Sequence, residues 1–377
     1  MNNRTDNIGF ANEETAVMSL SKLYRQYGFK QFKMSKFEEY DLYAENKDFL
    51  LGSNVITFTD TNGKLMALKP DVTLSIVKGS NDTFNEPEKV YYSENVYRVD
   101  KGTHQFKEIM QVGLECLGDL DIYSVSEVIM LAKKSLESIS ERNILDISHM
   151  GFITGILDGT ALNDKQKRKI IDCISEKNTL AIKKYCDEFN IDEKTSNSLV
   201  VLTGIYGTFP KCVEEIKKIS LNEKTDSAVA ELESIYEFLK QYSCSNGVNL
   251  DFSIVNDSNY YNGVIFQGFI DGVPSSVLTG GRYDNLVHKL DKKSGAVGFA
   301  VYLDLLSRLM SDDNDFDVDV LLIYDDNATV AQLANAVKNI TERGKSVKAQ
   351  KVNSGNIRYR QLIKLENGEV EVLETND

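Results

Sequence analysis

The sequence predicts an α+β fold: an antiparallel sheet with flanking helices, interrupted by a helical insertion and followed by a small α/β unit. Three observations predict it. Strand-like alternation with hairpin signals runs from residue 30 to about residue 118, helical spacing replaces it between about 120 and 245, and strand texture then returns. At 377 residues the chain is longer than one hydrophobic core comfortably serves, so a core of residues 1 to 310 and a C-terminal domain of residues 311 to 377 are expected.

Residues 11 to 27, "ANEETAVMSLSKLYRQY", place Val17, Leu20 and Leu23 at helical spacing behind an acidic first turn, with Gly28 to close the helix. In "VITFTDTNGKLMALK" two strand-like runs flank a turn in which Asn and Gly tolerate positive φ. "KVYYSENVYRVD" and "KEIMQVGLECLG" read as two more strands joined by "KGTHQF". Helical segments follow, among them "SVSEVIMLAKKSLESI" and "SAVAELESIYEFLKQY". Strands return at "VNLDFSIVND", "YYNGVIFQGFIDGVPSSVLTGGRYDNLV" and "AVGFAVYLDLLSRL". After the acidic stretch "SDDNDFD", the runs "VDVLLIYD", "ATVAQLANAVKNITERG", "KSVKAQKV" and "EVEVLE" suggest a βαβ-type unit.

Composition narrows the function. Lys and Arg total 43 against 57 Asp and Glu, a formal charge of -14, which disfavours bulk binding to a phosphate backbone. No apolar run reaches the roughly 18 residues that cross a bilayer, and the N-terminus lacks the apolar region of a signal peptide, so a cytoplasmic protein without a membrane partner is expected. Five scattered cysteines without a C-x-x-C pair, and three histidines, argue against a structural metal or a disulfide framework.

The over-polar strand "KEIMQVGLECLG" carries the chemistry. Strand alternation puts Gln111, Gly113 and Glu115 on one face, a carboxamide and a carboxylate over a floor without a side chain. Such a face suits an ammonium or an imidazole, or is simply solvated. Arg98, folded back by the hairpin, either clamps a carboxylate or phosphate or pairs with Asp100 or Glu108. Asp71 and Thr73 in "LKPDVT" add a polar pair or cap a helix. The pairs Gly280–Gly281 in "LTGGRYD" and Gly295 with Gly298 lack phosphate-loop spacing and fit close packing better. Of Tyr260 and Tyr261, one ring should face inward and one outward. None of the familiar catalytic sets is present, so the residues read as a binder rather than a catalyst.

Taken in order, "LKPDVT", "VYYSENVYRVD", "KEIMQVGLECLG", "YYNGVIFQGF", "LTGGRYDNLV" and "AVGFAVYLDLL" resemble the core of class II histidyl-tRNA synthetases and their paralogues, the regulatory subunits of ATP phosphoribosyltransferase, over roughly residues 10 to 310. That resemblance implies a class II aminoacyl-tRNA synthetase-like, six-stranded antiparallel sheet. It also implies a histidine site. Asp71, Thr73 and Gln111 would receive the α-ammonium, Arg98 or Gln111 the carboxylate, and Glu115 and Tyr261 the imidazole, with Tyr260 and Tyr283 completing the set.

Departures from the synthetase pattern favour the regulatory relatives. Arg98 stands at the motif-2 arginine, but Asn256 and Leu305 replace two further arginines, Asp304 replaces a glutamate and Tyr302 fills a glycine position. Losing an arginine that faces a triphosphate removes a charge-assisted contact worth about 1.5–3 kcal/mol. Ser35 or a neighbour also stands where motif 1 has its proline. The resemblance therefore implies no catalytic residue, no cofactor and no tRNA partner. It implies instead a short-form catalytic ATP phosphoribosyltransferase as partner, L-histidine as effector, and a homodimer within a hetero-octamer. A divergent synthetase, or a stand-alone amino-acid-binding module, is the alternative.

Overall fold

The computed structural model describes residues 13–46, 55–81, 86–100, 102–255, 260–306, 316–353, 355–366 and 368–376. The chain divides into two compact units, split between residues 310 and 311. Asn256 and most of the acidic stretch "SDDNDFD" lie outside the described residues.

A nine-stranded sheet organises the first unit. Its centre is six adjacent antiparallel strands, in the order Glu88–Val99, Phe106–Gly118, Gly295–Tyr302, Leu278–Arg282, Val264–Ile270 and Asn143–His149. Lys30–Gln31 adds a parallel strand at one edge, and Val248–Asp251 and Tyr206–Thr208 extend the other.

Helices Glu13–Gln26 and Ile122–Ile139 cover one face. Ala16, Leu20 and Tyr24, spaced four apart, form the buried stripe of the first, with Val17 and Leu23 partly buried beside it. The Tyr24 ring packs against Phe299 at 5.9 Å between centroids, and its hydroxyl pairs with Ser135 at 3.0 Å. On the opposite face lie helices Thr73–Gly79 and Asp284–Lys289 and the segment leading into strand Val264–Ile270.

The "DTNGK" hairpin forms between Thr57–Thr59 and Leu65–Leu68, where Gly63 takes φ +80° and the Asp60 carboxylate accepts the Asn62 and Lys64 amides, each at 2.8 Å. It belongs to a separate three-stranded sheet with Phe37–Glu39.

Two corrections concern secondary structure. The region expected to be helical from about 120 to 245 contains the sheet strands Asn143–His149 and Tyr206–Thr208, so the helices run from Met150–Asp158 to Glu223–Gln241 with the second of these strands among them. The first strand is a short run between helices whose Leu145 and Ile147 are fully buried, and so short an apolar run fits either periodicity. In the second unit, strand Tyr359–Glu366 was not anticipated, because Arg360, Gln361 and Lys364 obscure its apolar residues. It pairs parallel with Val318–Tyr324 and antiparallel with Glu369–Thr375, while Val347–Gln350 takes the other side of Val318–Tyr324. Helix Val330–Thr341, opened by a Thr329–Gln332 capping box, contributes Ala336 to a small core with Val320, Leu322, Ile363 and Leu365.

Candidate functional site

Register builds the site. Gln111, Gly113 and Glu115 stand opposite Glu94, Tyr92 and Val90 on one neighbouring strand, and opposite Tyr302, Ala300 and Gly298 on the other. One strand further, Thr279 and Gly281 stand opposite Ala300 and Gly298. Because paired positions share a face, four strands present one continuous surface, and its centre is nearly free of side chains.

What the glycines leave open, larger groups fill. A Cβ on Gly113 would come within 2.5 Å of the Tyr92 hydroxyl, one on Gly281 within 2.6 Å of the Tyr261 ring, and one on Gly298 would run into the Glu115 carboxylate. The glycines are therefore the condition for seating two rings and a carboxylate flat on the sheet.

These groups line a pocket, partly open to solvent, with about 410 Å³ of empty space counted out to its mouth. All eight residues singled out from the sequence line it: Asp71, Thr73, Arg98, Gln111, Glu115, Tyr260, Tyr261 and Tyr283. Tyr92, Thr279, Gly298 and Tyr302 line it as well. Tyr92 was missed, although its position across from Gly113 follows once the hairpin register is known.

Glu115, only 2% exposed, sits at the inner end. Thr73 Oγ1 donates to its Oε1 at 2.8 Å and the Tyr283 hydroxyl to its Oε2 at 2.5 Å. Burial nevertheless pushes its pKa up to about 8, with nearby Asp71 raising it further and the two hydroxyls lowering it. Burial also raises Asp71, against the opposing effects of the Leu74 amide and Arg98. Asp71, one residue ahead of the Val72 cap position, accepts that amide at 2.9 Å, so it ties down the first turn of helix Thr73–Gly79 and lines the cavity at once.

Arg98 is the one basic residue among the described residues that line the cavity. The sequence left it either to a ligand or to Asp100 or Glu108, and the structure supports neither ion pair. Its Nε donates to the Pro70 carbonyl at 2.9 Å, whereas Asp100 pairs with Lys107 at 2.6 Å and Glu108 accepts from Asn95 and Tyr97. The expectation that Tyr260 and Tyr261 face opposite ways is corrected: both are buried, with centroids 4.6 Å apart. They precede strand Val264–Ile270, so strand alternation does not govern them.

A second, wider cleft adjoins, with about 870 Å³ of empty volume, lined by Lys107, Asp304, Leu305, Ser275 and Ser276. Arg98, Thr279 and Tyr302 line both spaces. Among the described residues no cluster of His, Cys, Asp or Glu could hold a metal ion, and no helix is long and apolar enough to cross a membrane.

The family model for histidyl-tRNA synthetase matches residues 8–306, the unit that carries both spaces. The chain belongs to that family. Within the histidyl-tRNA synthetase family, its sequence is similar to that of an ATP phosphoribosyltransferase regulatory subunit from Acetivibrio thermocellus, 28% identical over 292 residues, covering 76% of this chain and 70% of the relative. A crystal structure described as an ATP phosphoribosyltransferase regulatory subunit/histidyl-tRNA synthetase, from Bacillus halodurans, matches with a TM-score of 0.78 at 23% identity and covers 93% of each chain. A chain of an ATP phosphoribosyl transferase complex from Thermotoga maritima matches with a TM-score of 0.60 at 20% identity, covering 76% of this chain and 96% of that one. The structural likenesses establish the class II synthetase-like α+β fold.

Proposed function

We propose that this chain is a non-catalytic regulatory subunit of ATP phosphoribosyltransferase, which activates a short-form catalytic partner on assembly and transmits feedback inhibition by L-histidine. The observation that carries the reading is the polarity of the inner cavity. Two acids, the buried Glu115 and the half-buried Asp71, line it, and Arg98 is the one basic group among its described lining residues. A zwitterion with a basic side chain complements that arrangement.

In this reading the imidazole lies at Glu115 beside Tyr283 and Tyr261, the α-ammonium at Asp71, Thr73 and Gln111, and the carboxylate at Arg98. With a pKa of about 8, Glu115 holds a proton at neutral pH, whereas free imidazole is mostly unprotonated there. One proton shared between them forms a charge-assisted pair with little net exchange with solvent. The neighbouring cleft supports a role without adenylate chemistry. Leu305 offers no donor there, and Lys107 is engaged by Asp100.

Feedback further requires that histidine bind one state of the complex better than the other. A homodimer within a hetero-octamer, in the cytoplasm and without tRNA, is the assembly this reading implies. The test is to mix the chain with a short-form transferase and follow phosphoribosyl-ATP formation. Activity should rise on mixing and fall with histidine, and Glu115→Ala or Tyr261→Ala should keep the rise and lose the fall. Absence of both complex and stimulation would favour a stand-alone amino-acid binder. Arg98, at the motif-2 position and shared by both spaces, favours a second reading as a divergent synthetase. A histidine-dependent pyrophosphate–ATP exchange signal would establish that one instead.

A further inference from the structure

We infer that Tyr302 is a specificity-determining partition, which restricts the inner cavity to an amino acid with a free, unextended carboxylate. The inference rests on the reading of that cavity as a histidine site and adds which derivatives it refuses.

Tyr302 stands opposite Gln111 at the outer end of the face whose inner end is Glu115 opposite Gly298. Its hydroxyl is 2.9 Å from Thr279 Oγ1, a diagonal neighbour on the next strand, so the ring reaches sideways from one strand to the other. Tyr302 and Thr279 line the inner cavity and the outer cleft alike, and the third shared residue is Arg98. A ligand carboxylate drawn to that guanidinium therefore ends at the boundary, against the tyrosine. A group attached beyond the carboxyl carbon and directed at the outer cleft meets the Tyr302–Thr279 bridge.

The wall is local. Ala300, between Tyr302 and Gly298 on the same face, adds only a methyl group. Truncating Tyr302 alone should join the two spaces, whereas a ligand that stops at the carboxyl carbon has little to gain from the opening.

Isothermal titration of the full chain with L-histidine, L-histidinamide and L-histidine β-naphthylamide tests this. The two amides both lack the carboxylate charge and differ in size, which separates the wall from the loss of the Arg98 pair. The naphthylamide should bind Tyr302→Ala at least about tenfold more tightly than it binds the unaltered chain, with a smaller gain in Tyr302→Leu, while histidinamide changes by less than about threefold. A merely structural role would weaken all three ligands in parallel. Should Tyr302→Ala fail to fold, the gain is read from Tyr302→Leu. If the unaltered chain binds histidine and neither variant gains naphthylamide binding, the partition is overturned alone. If the unaltered chain binds no histidine, the reading of the cavity falls and the partition with it.

Discussion

The inner cavity and the outer cleft share three residues and one sheet face, yet they are built differently. In the inner cavity four strands, the start of helix Thr73–Gly79 and the tyrosines Tyr260, Tyr261 and Tyr283 converge on a buried carboxylate, and glycines keep the floor clear. In the outer cleft the cationic Lys107 is tied to Asp100, and Leu305 contributes an apolar side chain to the lining. The inner cavity gathers its charged groups from several elements into one small space, whereas the cation of the outer cleft is already paired at its rim.

Substitutions can sharpen or break that contrast. The largest effect is expected from Gly298→Ala, because the added methyl runs into the Glu115 carboxylate and comes within 2.5 Å of the Leu114 carbonyl. Overpacking of this kind costs about 1–3 kcal/mol. Thermal denaturation should report a clear loss of stability, and calorimetry should find no histidine binding. Next, Arg98→Met removes the one basic group among the described residues of the inner cavity and should weaken histidine by about tenfold to a hundredfold, the range of a lost charged hydrogen bond. Equal weakening of histidinamide, which has no carboxylate, would break the assignment of Arg98 to the carboxylate end.

The third expectation concerns pH. Glu115 has a folded pKa of about 8 against an ordinary value of 4.5, so the folded chain binds the extra proton between those values. Stability is therefore greatest below the lower value and is lost as pH rises towards about 8. Denaturant titrations of Glu115→Gln should show a flatter dependence across pH 5 to 8 than the unaltered chain. The smallest effect belongs to the outer cleft: Lys107→Ala breaks an exposed pair and should change histidine affinity by no more than about twofold. A tenfold change there would erase the distinction between the two regions.

Much of this was legible in the sequence, for physical reasons that differ by residue. Period-2 alternation puts Gln111, Gly113 and Glu115 on one face whatever the partner strands, and the structure keeps them there. Tyr92 and Thr279 were not legible, because their places depend on register across strands far apart in sequence. Strand Asn143–His149 hid between two helices because seven residues are too few to separate one period from another. For Tyr260 and Tyr261 the rule used was sound and the location was not: they lie just ahead of the strand to which alternation applies. The departures at Tyr302, Asp304 and Leu305 were legible in the sequence, and the structure adds that all three line the outer cleft.

The hydrogen bond from Arg98 Nε to the Pro70 carbonyl has a kinetic and entropic side. A long, unbranched side chain ordinarily loses rotamer freedom when it grips a ligand, a cost of about 1.5–2 kcal/mol for arginine. Here the Pro70 carbonyl already limits that freedom, so much of the ordering accompanies folding rather than binding. The segment that holds the guanidinium also leads directly into Asp71 and the first turn of helix Thr73–Gly79. Exchanging Pro70 for another residue leaves that carbonyl in place but loosens the backbone carrying it. The signature to look for is a faster histidine off-rate with little change in on-rate.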